Sequence, residues 1–197
     1  MATLTKTHVD TLPEFREAPI GETVAQEIEE IVSRPSHKIR YVWAGLRLSM
    51  GWIFFWAFID KLFGLGFATG ADGTWLAGGS PTFGFLSFGT DGPLAGMYQG
   101  MAGNVVVDWM FMLGLLAIGL PLLLGIGVRL AAAAGVIMML LMYTAASLLP
   151  DNNPFMDDHL VYAVIMIGLA VAGAGKWLGL GKPWANTRLV RKYPILE

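Results

Sequence analysis

The stretch Arg47–Lys61, RLSMGWIFFWAFIDK, decides how the chain is read. It is an apolar, aromatic-rich run with a cation at each end and an acid, Asp60, beside the second. Long uncharged runs are ordinary in a membrane helix. An ionised group within one costs at least about 2.5 kcal/mol at the bilayer centre, so it faces a partner or a water-filled cavity. Arg47 and Lys61 are fourteen residues apart. On a helix they fall within roughly 40° of each other, about 21 Å apart along the axis, so both can face the interior of a bundle.

Composition supports a membrane setting. Of the 197 residues, 55% are hydrophobic and 14% charged, less charge than a soluble domain of this size carries. The apolar residues come in blocks long enough to cross a bilayer, which takes about 20 residues. Cysteine is absent, which excludes disulfides, thiolate chemistry and iron–sulfur ligation within this chain. A net charge of -2, with no long basic run, gives no case for nucleic acid. The first forty residues are polar and carry no signal-peptide pattern.

Working outward, the expected fold is all-α: a polytopic membrane four-helix bundle. Crossings are expected over about 41–65, 105–128, 130–149 and 158–178. Residues 1–40 form a polar extension. Within it Val24, Ile28, Ile31 and Val32 recur at helical spacing, predicting an amphipathic helix over about 22–33 that ends before Pro35. That helix lies on the membrane surface or on a partner protein. Between the first two crossings, Gly66–Gly103 is dense in glycine, proline and aromatic residues. It reads as a long loop that packs over the helix ends. Pro121 falls inside the second crossing and frees a carbonyl one turn earlier. A basic tail covers 182–197.

Small residues (Gly45, Gly51, Gly114, Gly119, Ala131, Gly135, Gly168 and Ala172) recur on all four segments, which lets helix backbones approach in lipid. Eleven of the 13 Lys and Arg residues fall in the N-terminal extension, at the Arg129 turn and around the tail. The long loop and the Pro150 turn hold none. By the positive-inside rule both termini are cytoplasmic, and Lys61 is the lone cation on the outer side.

The candidate chemistry follows from depth. Asp60, Lys61, Asp108, Asp158 and His159 all fall near the outer ends of their helices, with Trp52, Trp56 and Trp109 nearby. Lys61 can supply positive charge to an anion or a quinone oxygen; Asp60, Asp108 and His159 can exchange protons. Blander readings stand beside these. Arg47 can snorkel to headgroups, Lys61 can pair with Asp60 or Asp108, and one of Asp157 and Asp158 can serve as a helix cap. The histidines at 8, 37 and 159 are too scattered for a bis-histidine haem, and no metal-ligand spacing is present.

Three motifs, in order, resemble the DoxX and DoxD families of small four-helix membrane proteins. They are RLSMGWIFFWAFIDKLFG (47–64), GLPLLLGIGVRLAAAAG (119–135) and DDHLVYAVIMIGLAVAGAGKWLGL (157–180). The resemblance covers about residues 40–181. It implies a subunit of a quinone-linked membrane oxidoreductase, the DoxD type passing electrons from thiosulfate to quinone. Quinone is then the co-substrate, Asp60, Lys61, Asp108 and His159 the catalytic candidates, and Arg47, Lys61, Trp56 and Trp109 the quinone-binding candidates. The expected setting is a prokaryotic cell membrane, with lipid, further protein subunits or a second copy of the chain as partners. Family members often carry Glu in the second helix where this chain has Leu115 after Gly114, which shifts that role to Asp108 or removes it. Two other readings stand: an accessory or assembly subunit without catalysis, and a small-molecule transporter, for which Asp60 lies far from mid-bilayer.

Overall fold

The computed structural model describes Val24, residues 37–146, Leu148, Pro150 and residues 153–197. Apart from Val24, the amphipathic helix expected over 22–33 lies outside the described residues. Within 37–197 the described chain is helical, without strands.

Four longer helices carry the fold: α1 (His37–Phe63), α4 (Val105–Leu124), α5 (Val128–Ala146) and α6 (Asp158–Ala172). Three segments, Lys38–Phe63, Val105–Leu124 and Val128–Ala146, are long and apolar enough to cross a membrane. The fourth is apolar but only 15 residues long, about 22 Å against a hydrocarbon core of about 30 Å. The expected crossing ran on to 178. The helix stops at Ala172 because Gly173 takes the left-handed conformation (φ 61°) and its amide bonds back to Ala170. A 3-10 turn, Ala174–Lys176, continues the chain.

Helix α1 packs along α4, α4 against α5, α5 against α6, and α6 returns to α1. The shared core is Met50 and Phe54 of α1, Met112 and Ile118 of α4, Ala131 and Met139 of α5, and Met166 and Leu169 of α6. The tightest approach is between α1 and α4. A methyl group on Gly119 would lie 2.5 Å from the Phe55 backbone nitrogen, and one on Gly51 would lie 2.9 Å from that of Leu123. Only glycine permits backbones this close. Gly45 faces open space instead. The outward faces are apolar too, as along α6, where Val161, Val164, Ile167 and Val171 are all exposed. A helix that is apolar on every side belongs in a large core or in lipid.

The loop after α1 is folded. It carries 3-10 turns at Ala71–Gly73 and Trp75–Ala77, then two short helices, α2 (Phe83–Phe88) and α3 (Ala95–Gln99). Leu86, Tyr98 and Ala145 form a second apolar cluster with Phe85, Leu94, Met101 and Val107, tying the loop to α4 and α5. The tail forms α7 (Gly181–Ala185) and α8 (Arg188–Lys192), then a 3-10 turn at Pro194–Leu196 that packs on α5.

Candidate functional site

The two cations of α1 have opposite fates. Arg47 is fully buried. Its Nη1 donates to the carbonyls of Leu122 and Leu123, the C-terminal turn of α4. Its Nη2 donates to Trp177 at 3.2 Å and Leu178 at 2.8 Å, in the segment after α6. Helix C-termini leave carbonyls unpaired and carry partial negative charge, so a guanidinium satisfies both needs there. Arg47 therefore joins three elements, about 20 Å along α1 from Lys61.

Lys61 is partly buried. Among the described residues, none hydrogen-bonds or ion-pairs with its ammonium. It lines a cavity of about 490 Å³, within the size range of ligand sites. Val107, Met110 and Phe111 of α4 form one wall, and Ile137, Met138 and Leu141 of α5 another. Phe85, Leu86 and Tyr98 of the loop helices also line it. Its polar contributors are Lys61, Thr82 and Tyr98. The Tyr98 hydroxyl already pairs with the Thr144 hydroxyl at 2.6 Å.

Asp108 is hydrogen-bonded to Thr82 of this cavity's lining. It is 5% exposed, and its Oδ1 accepts from Ser80 Oγ at 2.9 Å, the Thr82 amide at 3.1 Å and Thr82 Oγ1 at 2.6 Å. The Ser-Pro-Thr segment is thereby pinned to α4, and Thr82 both bonds this carboxylate and lines the cavity. Nothing local in the sequence pairs Ser80 or Thr82 with Asp108, 26 to 28 residues away, so sequence reading missed both.

The other expected residues lie elsewhere. Asp60 is buried and accepts three backbone amides: Phe67 at 3.2 Å, Ala68 at 2.9 Å and Thr69 at 2.9 Å. It folds the start of the loop back over the end of α1 and does not line the cavity. Trp56 stacks on Trp52 at 5.5 Å and meets Phe67 edge-on at 5.1 Å; Trp109 meets Trp75 edge-on at 4.7 Å. Neither Trp56 nor Trp109 lines the cavity.

Asp157 is the N-cap of α6, accepting the Leu160 amide at 3.1 Å. Its other oxygen meets His159 Nδ1 at 2.6 Å, and Asp158 lies 3.4 Å from the same nitrogen. The ligating atoms of these three residues fall within 4.8 Å of one another, a spacing that could hold a cation. His159 is absent from the cavity wall. The structure thus puts Lys61 in the lining of one cavity with Thr82, the hydrogen-bond partner of Asp108, and leaves Arg47, Asp60, His159 and both tryptophans out of that lining.

At the opposite end, Glu197 meets Lys176 Nζ at 2.6 Å and Arg129 Nη2 at 3.7 Å. The Lys176 hydrogen bond holds its carboxyl below the usual carboxylate range. Trp184 Nε1 donates to the Leu196 carbonyl at 2.6 Å, fastening the same turn.

No protein-family model, curated protein or solved structure matches this chain.

Proposed function

We propose that this chain is a DoxX/DoxD-like four-helix membrane protein that binds a quinone and serves a quinone-linked, thiosulfate-type oxidoreductase complex. The observation that carries the reading is the apolar cavity lined by Lys61, whose ammonium has no hydrogen-bond or ion-pair partner among the described residues. Such a space suits a lipid-soluble ring that carries a polar oxygen. The apolar walls take the ring and its tail, and the ammonium takes a carbonyl or phenolate oxygen. The helices cross a prokaryotic cell membrane with both termini cytoplasmic, as the Lys and Arg distribution requires. The cavity then opens in the outer half of the bilayer, and α6 completes the bundle with the turn that follows it.

The test is binding of decylubiquinone to the purified protein in lipid nanodiscs, beside thiosulfate-dependent quinone reduction. Saturable binding that weakens about tenfold in Lys61→Met supports the reading. A cavity that copurifies with phospholipid alone and ignores quinone overturns it.

A second reading, an accessory subunit without turnover, is favoured by one observation. Both Nη atoms of Arg47 and the carboxylate of Asp60 are engaged by the chain's own backbone. In that case quinone binds, and no thiosulfate-dependent reduction appears without a partner subunit.

A further inference from the structure

Thr82 holds a position that the quinone reading does not use. It lines the cavity, and its hydroxyl donates its proton to Asp108 Oδ1 at 2.6 Å. A threonine oxygen that donates its one proton keeps its lone pairs for a further donor. Asp108 also takes the Ser80 hydroxyl and the Thr82 amide on the same oxygen, so the threonine is held in this orientation by its own backbone. Lys61, whose ammonium can only donate, lines the same cavity. With the Tyr98 hydroxyl already paired to Thr144, Thr82 and Lys61 are left as an acceptor and a donor in a mostly apolar lining.

Resting on the quinone reading, we infer that the preferred ligand is the reduced, hydroxyl-bearing form. One hydroxyl donates to Thr82 Oγ1 while another oxygen accepts from Lys61. The same arrangement moves a proton. The ligand O–H proton passes to Thr82 Oγ1 as the threonine proton passes to Asp108 Oδ1. The ligand hydroxyl becomes a phenolate, the aspartate becomes an acid, and Thr82 ends neutral as it began. The phenolate is stabilised by the Lys61 ammonium, and no electrons move in this step. Thr82 is the contacting group; Asp108 acts through it as a positioning residue and proton acceptor.

The experiment compares decylubiquinol with its di-O-methyl ether, which keeps shape and tail but has no hydroxyl. Both are titrated into the full chain in nanodiscs under anaerobic conditions. The wild-type chain binds the hydroquinol roughly five- to tenfold more tightly than the ether, the scale of one buried hydrogen bond. Thr82→Val removes that preference and leaves ether affinity unchanged. Thr82→Ser restores it, which separates lost hydrogen bonding from lost folding. Equal preference in wild type and Thr82→Val overturns this inference while the quinone reading stands. Failure of wild type to bind decylubiquinol, its ether or decylubiquinone overturns both.

Discussion

Arg47 and Lys61 sit on one helix, near one face, and the sequence presents them as a pair. The structure makes them opposites. Arg47 is closed off, its guanidinium donating to four carbonyls from two other segments. Lys61 is open, with no hydrogen-bond or ion-pair partner among the described residues and a cavity in front of it. A buried cation is structural when the chain satisfies its donors and available for chemistry when it does not. Two residues of the same charge on the same helix are separated by that criterion.

The sharpest way to break this contrast is Arg47→Met. It orphans carbonyls at the end of α4 and after α6, each costing about 1–3 kcal/mol where buried. The expected loss is on the order of 4 kcal/mol in a micelle unfolding titration. Arg47→Lys recovers little, because an ammonium cannot span both pairs of carbonyls. A near-normal unfolding midpoint for Arg47→Met would end the structural reading of that residue.

Next in size is Asp108→Ala, which leaves Ser80 and Thr82 without their acceptor and frees the loop from α4. A loss of about 2–3 kcal/mol is expected, with faster proteolysis between Ser80 and Gly103. Lys61→Met is the counterpart that sharpens the comparison. Unfolding stability stays within about 0.5 kcal/mol of wild type, while quinone binding weakens. If Lys61→Met unfolds as readily as Arg47→Met, the two ends of α1 are alike and the contrast fails.

The smallest effect concerns Glu197. Its carboxyl lies below the usual carboxylate range because of the Lys176 hydrogen bond. A depressed folded value means the contact stabilises above the unfolded carboxylate value and fades as pH falls through the folded one. The pair is partly exposed, so its worth is within about 1 kcal/mol. Trp184 fluorescence reports the tail turn through its bond to Leu196. It should hold steady from neutral pH down to about 5 and change only in more acid solution. In Glu197→Gln that acid transition should be absent.

Much of the frame was legible because it is local. Apolar length, a cap at Asp157 or Asp158 and the small residue at Gly119 all depend on residues close in sequence or on one helical face, whereas Gly125 and Gly173 end α4 and α6 short of the expected 128 and 178. The site was legible only in part. Lys61 and Asp108 stood out as charges in apolar surroundings. Asp60 stood out for the same reason, but its partners are the amides of residues 67–69, which a loop must fold back to supply. Thr82 was invisible because a threonine in a polar loop carries no mark until the loop is seen against α4.

By itself the sequence determined that this chain builds long apolar helices with close contacts, since helical period and hydrophobic length are written in consecutive residues. Only the tertiary structure decided which ionised groups are spent and which are free. A polar group's state depends on who answers its hydrogen bonds, and for Arg47 and Asp108 the answers come from segments 26 to 131 residues distant.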